Sequence, residues 1–256
     1  MRILAIGDVV GTVGCRFLRS KLPALKKSER IDLTIANGEN SADGNGITPS
    51  SAEYLFSSGV DVITGGNHSF RRRECYPFYE TSPFLLRPGN YPESTTPGSG
   101  CVVYDMGRYQ VGIINLMGCM FIENLEDPFR TADRLIRELG TKITVVDFHA
   151  EATAEKRALG FYLDGRVSAF FGTHTHVQTA DEQILEKGCG YITDVGMTGT
   201  ISSVLGVKPE LAISKFRDKL PVRFDLAEGE CRMDCIIFDI DEKTGRTAEV
   251  KRLCIR

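Results

Sequence analysis

The chain has 256 residues, is 42% hydrophobic and 25% charged, and carries a net charge of −3. It is long enough to bury a full core, and its charge gives no reason to expect a nucleic-acid polymer or an anionic membrane as partner. Small anionic substrates stay open, because a local metal ion reverses the sign of a site.

The opening "MRILAIGDVVG" is too short, and too soon interrupted by Asp8, for a signal peptide, and no later run reaches the length of a membrane span. Eight scattered cysteines without a Cys-x-x-Cys pair fit buried thiols in a reducing cytoplasm. In chain order, "RILAIG", "DLTIAN", "VDVIT", "CVVYDM", "QVGIIN", "KITVVDF", "VSAFFG", "GYITDV" and "CIIFDI" are short apolar runs flanked by Gly, Asp or Asn, which reads as strand. Between them, "TPSSAEYLFSSG" has Thr48 as N-cap, Pro49 at the first helical position and Gly59 as stop. "DPFRTADRLIRELG" starts on Asp127, ends on Gly140 and sets Ala132, Leu135, Ile136 and Leu139 on one face; "KPELAISKFRDKL" is a third helical segment.

Strands alternating with helices imply an α/β fold with a largely parallel sheet. From residue 219 the pattern changes to antiparallel hairpins, with turns expected at Glu228-Gly229 and Thr244-Gly245. Two sheets of mixed direction in a single domain over residues 1–256 suit this better than one doubly wound sheet.

Polar residues stand where the apolar runs end. Asp8 follows the first; Glu39 and Asn40 the second; Asn67 and His68 the third. His149 follows "VVDF", and His174 and His176 follow "AFFGT". Ligand sites in open α/β sheets lie outside the carboxyl ends of strands, so these residues can converge. Glycines at 7, 38, 65, 66 and 172 precede them and let the loops come close. Taken singly, Asp8 reads as a cap or turn former, Asn40 and Asn67 as turn residues, and His149 as a hydrogen-bonded interior histidine. Their shared position at strand ends is what these separate readings leave unexplained. Oxygen and nitrogen donors without thiolate suit Mn, Fe or Zn, and two ions sharing Glu39 use the whole donor set.

The ordered motifs "GDVVG", "ANGEN", "GGNH", "RPGNYP", "DFHAE", "GTHTHVQTAD" and "TDVGMTG" resemble the calcineurin-like metallophosphoesterases. More narrowly they resemble the YmdB family of bacterial 2′,3′-cyclic-nucleotide phosphodiesterases, from residue 1 to about residue 210. The resemblance implies a four-layer αββα sandwich, two mixed sheets between helices, with a binuclear centre at the strand ends. Asp8, Glu39, Asn40 and His176 would hold one ion; Glu39, Asn67, His149 and His174 the other, with iron or manganese expected. Glu39 stands where the wider superfamily bridges with Asp. Ser69 follows Asn67-His68 where an acidic residue is common there, and Thr200 follows "GMTG" where the narrower family has Pro.

The activity implied is opening of a 2′,3′-cyclic phosphodiester to the 3′-monophosphate, a hydroxide between two ions about 3.5–4 Å apart being the nucleophile. His68 is then the general acid, worth about 10²–10⁴ in rate. Arg87 of "RPGNYP" is a candidate phosphate contact, with a surface ion pair or loop contact as the alternative. The run "FRRRE" after His68 reads as a solvated helix face, and the Met and Cys of "NLMGCMF" as core. Two other functions remain open: a phosphomonoesterase such as a nucleotidase, and a metal-containing regulator that binds a nucleotide without turnover. Homo-oligomerisation through symmetric contacts is also open.

Overall fold

In the first apolar run Leu4 and Ile6 face one way and Ile3 and Ala5 the other, the two-residue period of a strand buried on both faces. The computed structural model describes residues 1–256 and carries that alternation into a layered molecule. The chain runs β1 (Arg2–Ile6), β2 (Asp8–Val9), α1 (Gly11–Glu29), β3 (Leu33–Asn37), α2 (Pro49–Ser57), β4 (Val62–Thr64) and α3 (Tyr76–Thr81). It continues through β5 (Cys101–Asp105), β6 (Gln110–Met117), α4 (Pro128–Leu139), β7 (Ile143–His149), α5 (Thr153–Leu163) and β8 (Ala169–Thr173). The last elements are β9 (Gln183–Ile184), β10 (Gly190–Ile192), β11 (Met197–Thr200), α6 (Pro209–Asp218), β12 (Cys231–Ile240) and β13 (Thr247–Ile255).

One sheet has the order β2-β11-β12-β1-β3-β4, with β13 also paired to β12; the other has the order β5-β6-β7-β8-β10-β9. Both mix directions: β1, β3 and β4 run parallel while β12 is antiparallel to β1, and β6, β7, β8 and β10 run parallel while β5 and β9 are antiparallel edges. Three apolar interfaces follow. Leu4, Ile6, Met233 and Ile237 of the first sheet meet Leu18 and Leu22 of α1 and Leu55 of α2. Ile3, Ile35 and Phe238 meet Val145 and Phe171 between the sheets. Val146, Phe148 and Phe170 of the second sheet meet Leu135 of α4 and Leu159 of α5. This is the expected αββα sandwich, and each fully buried large side chain contributes about 1.5–3 kcal/mol to it.

All nine apolar runs contain strands. The helices anticipated on α2 and α4 are those with visible caps. Thr48 accepts from Ser51 N in a capping box, and Asp127 accepts from Phe129 N with Gly140 left-handed at the far end. The longest helix, α1, has Val10 at its N-cap without a side-chain bond and Pro23 inside, so it lacks start and stop signals; α5 is likewise uncapped by Ala152.

Two expectations need correction. Only the second anticipated hairpin forms, between β12 and β13, with Gly245 at φ +74. Residues 221–226 form no strand; β12 pairs instead with β11, Thr200 opposite Cys231, and Leu226 makes a single bridge to Val207. In "NLMGCMF", Met117 is core but Met120 and Phe121 are exposed, because the strand ends at Met117 and the loop turns outward. No helix is long and apolar enough to cross a membrane.

Candidate metal centre

Parallel strands end together, and this is what gathers the polar residues. Asp8, Glu39 with Asn40, and Asn67 with His68 come from the ends of β1, β3 and β4 in the first sheet. His149 and His174 come from the ends of β7 and β8 in the second, where the register sets His149 opposite Thr173. Seven of the expected residues meet in one cluster. Around His149 Nε2 lie Asn67 Oδ1 at 2.9 Å, His174 Nδ1 at 3.0 Å and Glu39 Oε1 at 3.3 Å. Asp8 Oδ1 lies 3.5 Å from His176 Nε2, and Asn40 Nδ2 lies 3.4 Å from the same nitrogen and 3.1 Å from Glu39 Oε1. His68 borders the cluster: its backbone N–H donates to Glu39 Oε2 at 2.7 Å, and its Nδ1 lies 2.9 Å from Asn40 Oδ1. Asn40 thus holds the imidazole in place of an acidic residue at position 69, while Ser69 Oγ accepts from Gly66 N.

Close approach explains the glycine before Asn67. A methyl at Gly66 would lie 2.3 Å from His149 Nε2 and 2.5 Å from Glu39 Oε2, inside the cluster.

The His-x-His turn is strained, with His174 at φ +101 and His176 at φ +60. Three acceptors hold it: Asp8 Oδ2 takes His174 N–H at 3.0 Å, Asp194 Oδ2 takes Thr175 N–H at 3.1 Å, and Leu205 O faces His176 Nδ1 at 3.1 Å. Asp194 is in turn fixed by Lys156 Nζ at 2.7 Å, an ion pair in which both side chains are 1% exposed. Glu151, half exposed at the rim, brings Oε2 to 3.0 Å from His174 Nε2.

Electrostatics favour a cation here. Burial opposes charge on His149, yet the Glu39 and Asp8 carboxylates outweigh it and raise the imidazole to about 9. Burial and the neighbouring His149 push His174 down to about 4. Burial also works against ionising Glu39, but His149 and His68 hold it well below the usual carboxylate range. Asp8 is lowered too, its burial outweighed by His176.

The residues fit a metal on two counts. Asp8 Oδ1 is fully buried without a hydrogen-bond partner, a state that is costly unless a cation faces it. Donor atoms of Glu39, His149 and His174 lie within 4.8 Å of one another, a nitrogen and oxygen set suited to a first-row ion.

Arg87 makes no hydrogen bond to this cluster. It is buried, its Nη1 donates to Pro88 O, and the charged groups it feels are Glu93, Arg134 and Glu126. The basic run after His68 is partly used in structure, Arg72 donating to Asp43 O and Asn45 O. Thr200 lies in β11 and donates its hydroxyl to Ala227 O at 2.8 Å.

The sequence reading missed a buried polar layer beneath the cluster, made of Asn37, Thr64, Asn115, Asp147 and Thr173. Asn115 Oδ1 accepts from Gly65 N and its Nδ2 donates to Gly65 O, linking the two sheets. Burial pushes Asp147 up to about 7 against the hydroxyls of Thr64 and Thr173. Polar residues inside apolar strands were the available signal, with Asn37 and Asp147 each two positions from a candidate ligand.

Comparison with known proteins agrees with this architecture. A family described as YmdB-like protein matches residues 4–253. A Bacillus subtilis (strain 168) protein named 2′,3′-cyclic-nucleotide 2′-phosphodiesterase is 47% identical over 257 residues, covering 100% of this chain and 97% of that protein. The crystal structure of a novel phosphatase from Mycoplasma pneumoniae superposes with a TM-score of 0.95 at 33% identity, covering 100% of this chain and 93% of the other. That of a hypothetical protein from Thermus thermophilus gives 0.94 at 41% identity, covering 99% and 98%.

Proposed function

The chain belongs to the YmdB-like family, and on that premise we propose that it opens 2′,3′-cyclic nucleoside monophosphates to 3′-monophosphates using two transition-metal ions. It is a hydrolase of phosphoric diester bonds. Iron or manganese is the expected pair, with zinc compatible with the same donors. A reducing cytoplasm suits its eight unpaired cysteines.

In this reading Asp8, Glu39, Asn40 and His176 hold one ion, and Glu39, Asn67, His149 and His174 the other. When bound, the ions lower the pKa of water and offset charge on the phosphoryl oxygens. The protein's own part is to aim and to exchange protons. His68 is the one histidine outside the ligand set, and its Nδ1 is engaged by Asn40 Oδ1. That leaves Nε2 to give a proton to the departing 2′ oxygen. The strained His-x-His turn and its three acceptors keep two ligands in place before substrate arrives.

The observation that carries this reading is the gathering of Glu39, His149 and His174 donors in one cluster, beside which Asp8 Oδ1 is buried without a hydrogen-bond partner. Elemental analysis of purified protein, beside a panel of cyclic nucleotides, tests it. Near two transition-metal ions per chain and selective conversion of 2′,3′-cyclic AMP to 3′-AMP are expected. A strong preference for p-nitrophenyl phosphate over its bis ester would replace it with a phosphomonoesterase.

A further inference from the structure

We infer that Thr173 and Asp147 form a buried relay that sets the tautomer of His149, making its Nε2 the ligand atom of one ion; this deepens the two-ion reading and rests on it. His149 is completely buried, and its Nδ1 lies 3.0 Å from Thr173 Oγ1. Thr173 Oγ1 donates at 2.8 Å to Asp147 Oδ1. A hydroxyl has one proton, and with Asp147 ionised this one goes to the carboxylate. Thr173 must therefore accept from the ring, so Nδ1 carries a proton.

The far end of the relay supports this direction. Asp147 Oδ2 faces two further donors, Thr64 Oγ1 and Asn37 Nδ2. Both can donate to an ionised Asp147, the amide only weakly at 3.4 Å. Asn37 Nδ2 also faces His149 Nδ1, but at 3.4 Å, and the same amide nitrogen has Gly65 O at 3.1 Å. The amide cannot be reversed, because Asn37 Oδ1 accepts from Glu39 N at 3.1 Å.

With Nδ1–H assigned, the proton that an ion displaces is the one on Nε2, and that nitrogen points into the cage. What it meets there is Asn67 Oδ1, His174 Nδ1 and Glu39 Oε1, two oxygen acceptors and a ring nitrogen. Lone pairs aimed at one point are held together by a cation. An outer partner of this kind also raises the basicity of the ligand nitrogen, and its removal weakens metal binding about 10–100-fold. His176, assigned to the other ion, leans on the neutral Leu205 carbonyl instead and has no link to Asp147. The relay therefore bears on one ion and leaves the other alone.

The test is a calorimetric titration of metal-stripped protein with Mn²⁺, in wild type, Thr173→Val and Thr173→Ser. Valine keeps the branched shape and removes the hydroxyl; serine keeps the hydroxyl. One of two binding steps should weaken about 10–100-fold in Thr173→Val while the other holds, and Thr173→Ser should recover to within a few-fold. Nitrogen-15 NMR of the histidines supplies an independent readout. The His149 signal should report protonated Nδ1 and bare Nε2 in the zinc-loaded wild type, and the same in Thr173→Ser. Unchanged binding in Thr173→Val, equal weakening of both steps, or a serine variant as poor as valine would overturn the relay. Wild type that takes up no Mn²⁺ would instead overturn the metal reading itself.

Discussion

Replacing Gly66 by alanine puts a methyl group 2.3 Å from both Cδ2 and Nε2 of His149 and 2.5 Å from Glu39 Oε2. The backbone at Gly66 is not left-handed, so alanine is tolerated there and the conflict is purely with the cage. Ordinary carbon contacts begin near 3.5 Å, so the imidazole must retreat by about 1 Å. It is fully buried with Thr173 and Asn37 behind it, and cannot move without disturbing the polar layer. A 1 Å misplacement at a reacting centre costs roughly 10²-fold in rate. Overpacking adds about 1–3 kcal/mol of instability, worth roughly 2–4 °C in Tm for each kcal/mol in a chain of this size. The assay is kcat/KM for 2′,3′-cyclic AMP, with metal per chain and Tm measured on the same sample. Gly112→Ala is the control: its methyl would lie 2.4 Å from Thr141 Oγ1, a clash far from the cage. It should lower Tm while sparing metal and rate. A Gly66→Ala protein that keeps both ions and wild-type kcat/KM would refute the cage geometry.

Three further outcomes follow from the same structure. His68→Ala should slow opening of 2′,3′-cyclic AMP by about 10²–10⁴ and spare metal content. Its loss on bis-p-nitrophenyl phosphate should be much smaller, since p-nitrophenolate departs unprotonated, and equal losses on both substrates would remove the general-acid role. Asp194→Ala strands the Lys156 ammonium, 1% exposed, without its partner; urea unfolding should show a loss of about 3–5 kcal/mol, and an unchanged midpoint would deny the clamp. Burial works against ionising Asp181, but hydrogen bonds from Thr193 and Thr179 outweigh it and lower its pKa below the ordinary value. The stability this supplies is present above about pH 4 and fades as pH falls through the lowered value. The difference in Tm between wild type and Asp181→Asn should accordingly be largest near neutrality and close in acid; a constant gap would count against it.

Strand placement and the seven clustered residues were legible because both are local. An apolar run ending in Gly-Asp or Gly-Asn-His announces itself, and parallel strands place such ends together. Arg87 was a candidate phosphate contact on residue type alone; in the structure it is buried and its Nη1 donates to Pro88 O. The roles of Thr173 and Asp147 were hidden for a different reason. They depend on the β7–β8 register, which sets His149 opposite Thr173, and on Thr64 reaching across from the other sheet. Helix α1 was missed because its ends lack capping side chains and its interior holds Pro23. Its formation rests on Leu18, Leu22 and Leu25 packing against the first sheet, a tertiary reward that no local signal encodes.

The cage draws three walls from one sheet and two from the other, so ions bound there would act as rivets across the sandwich. An ion that grips only the folded form adds stability by mass action, about 2.7 kcal/mol at a hundred times its dissociation constant. Since either sheet must let go of the rivet before the layers part, metal supply in the cell would set how long the enzyme lasts as well as how fast it works.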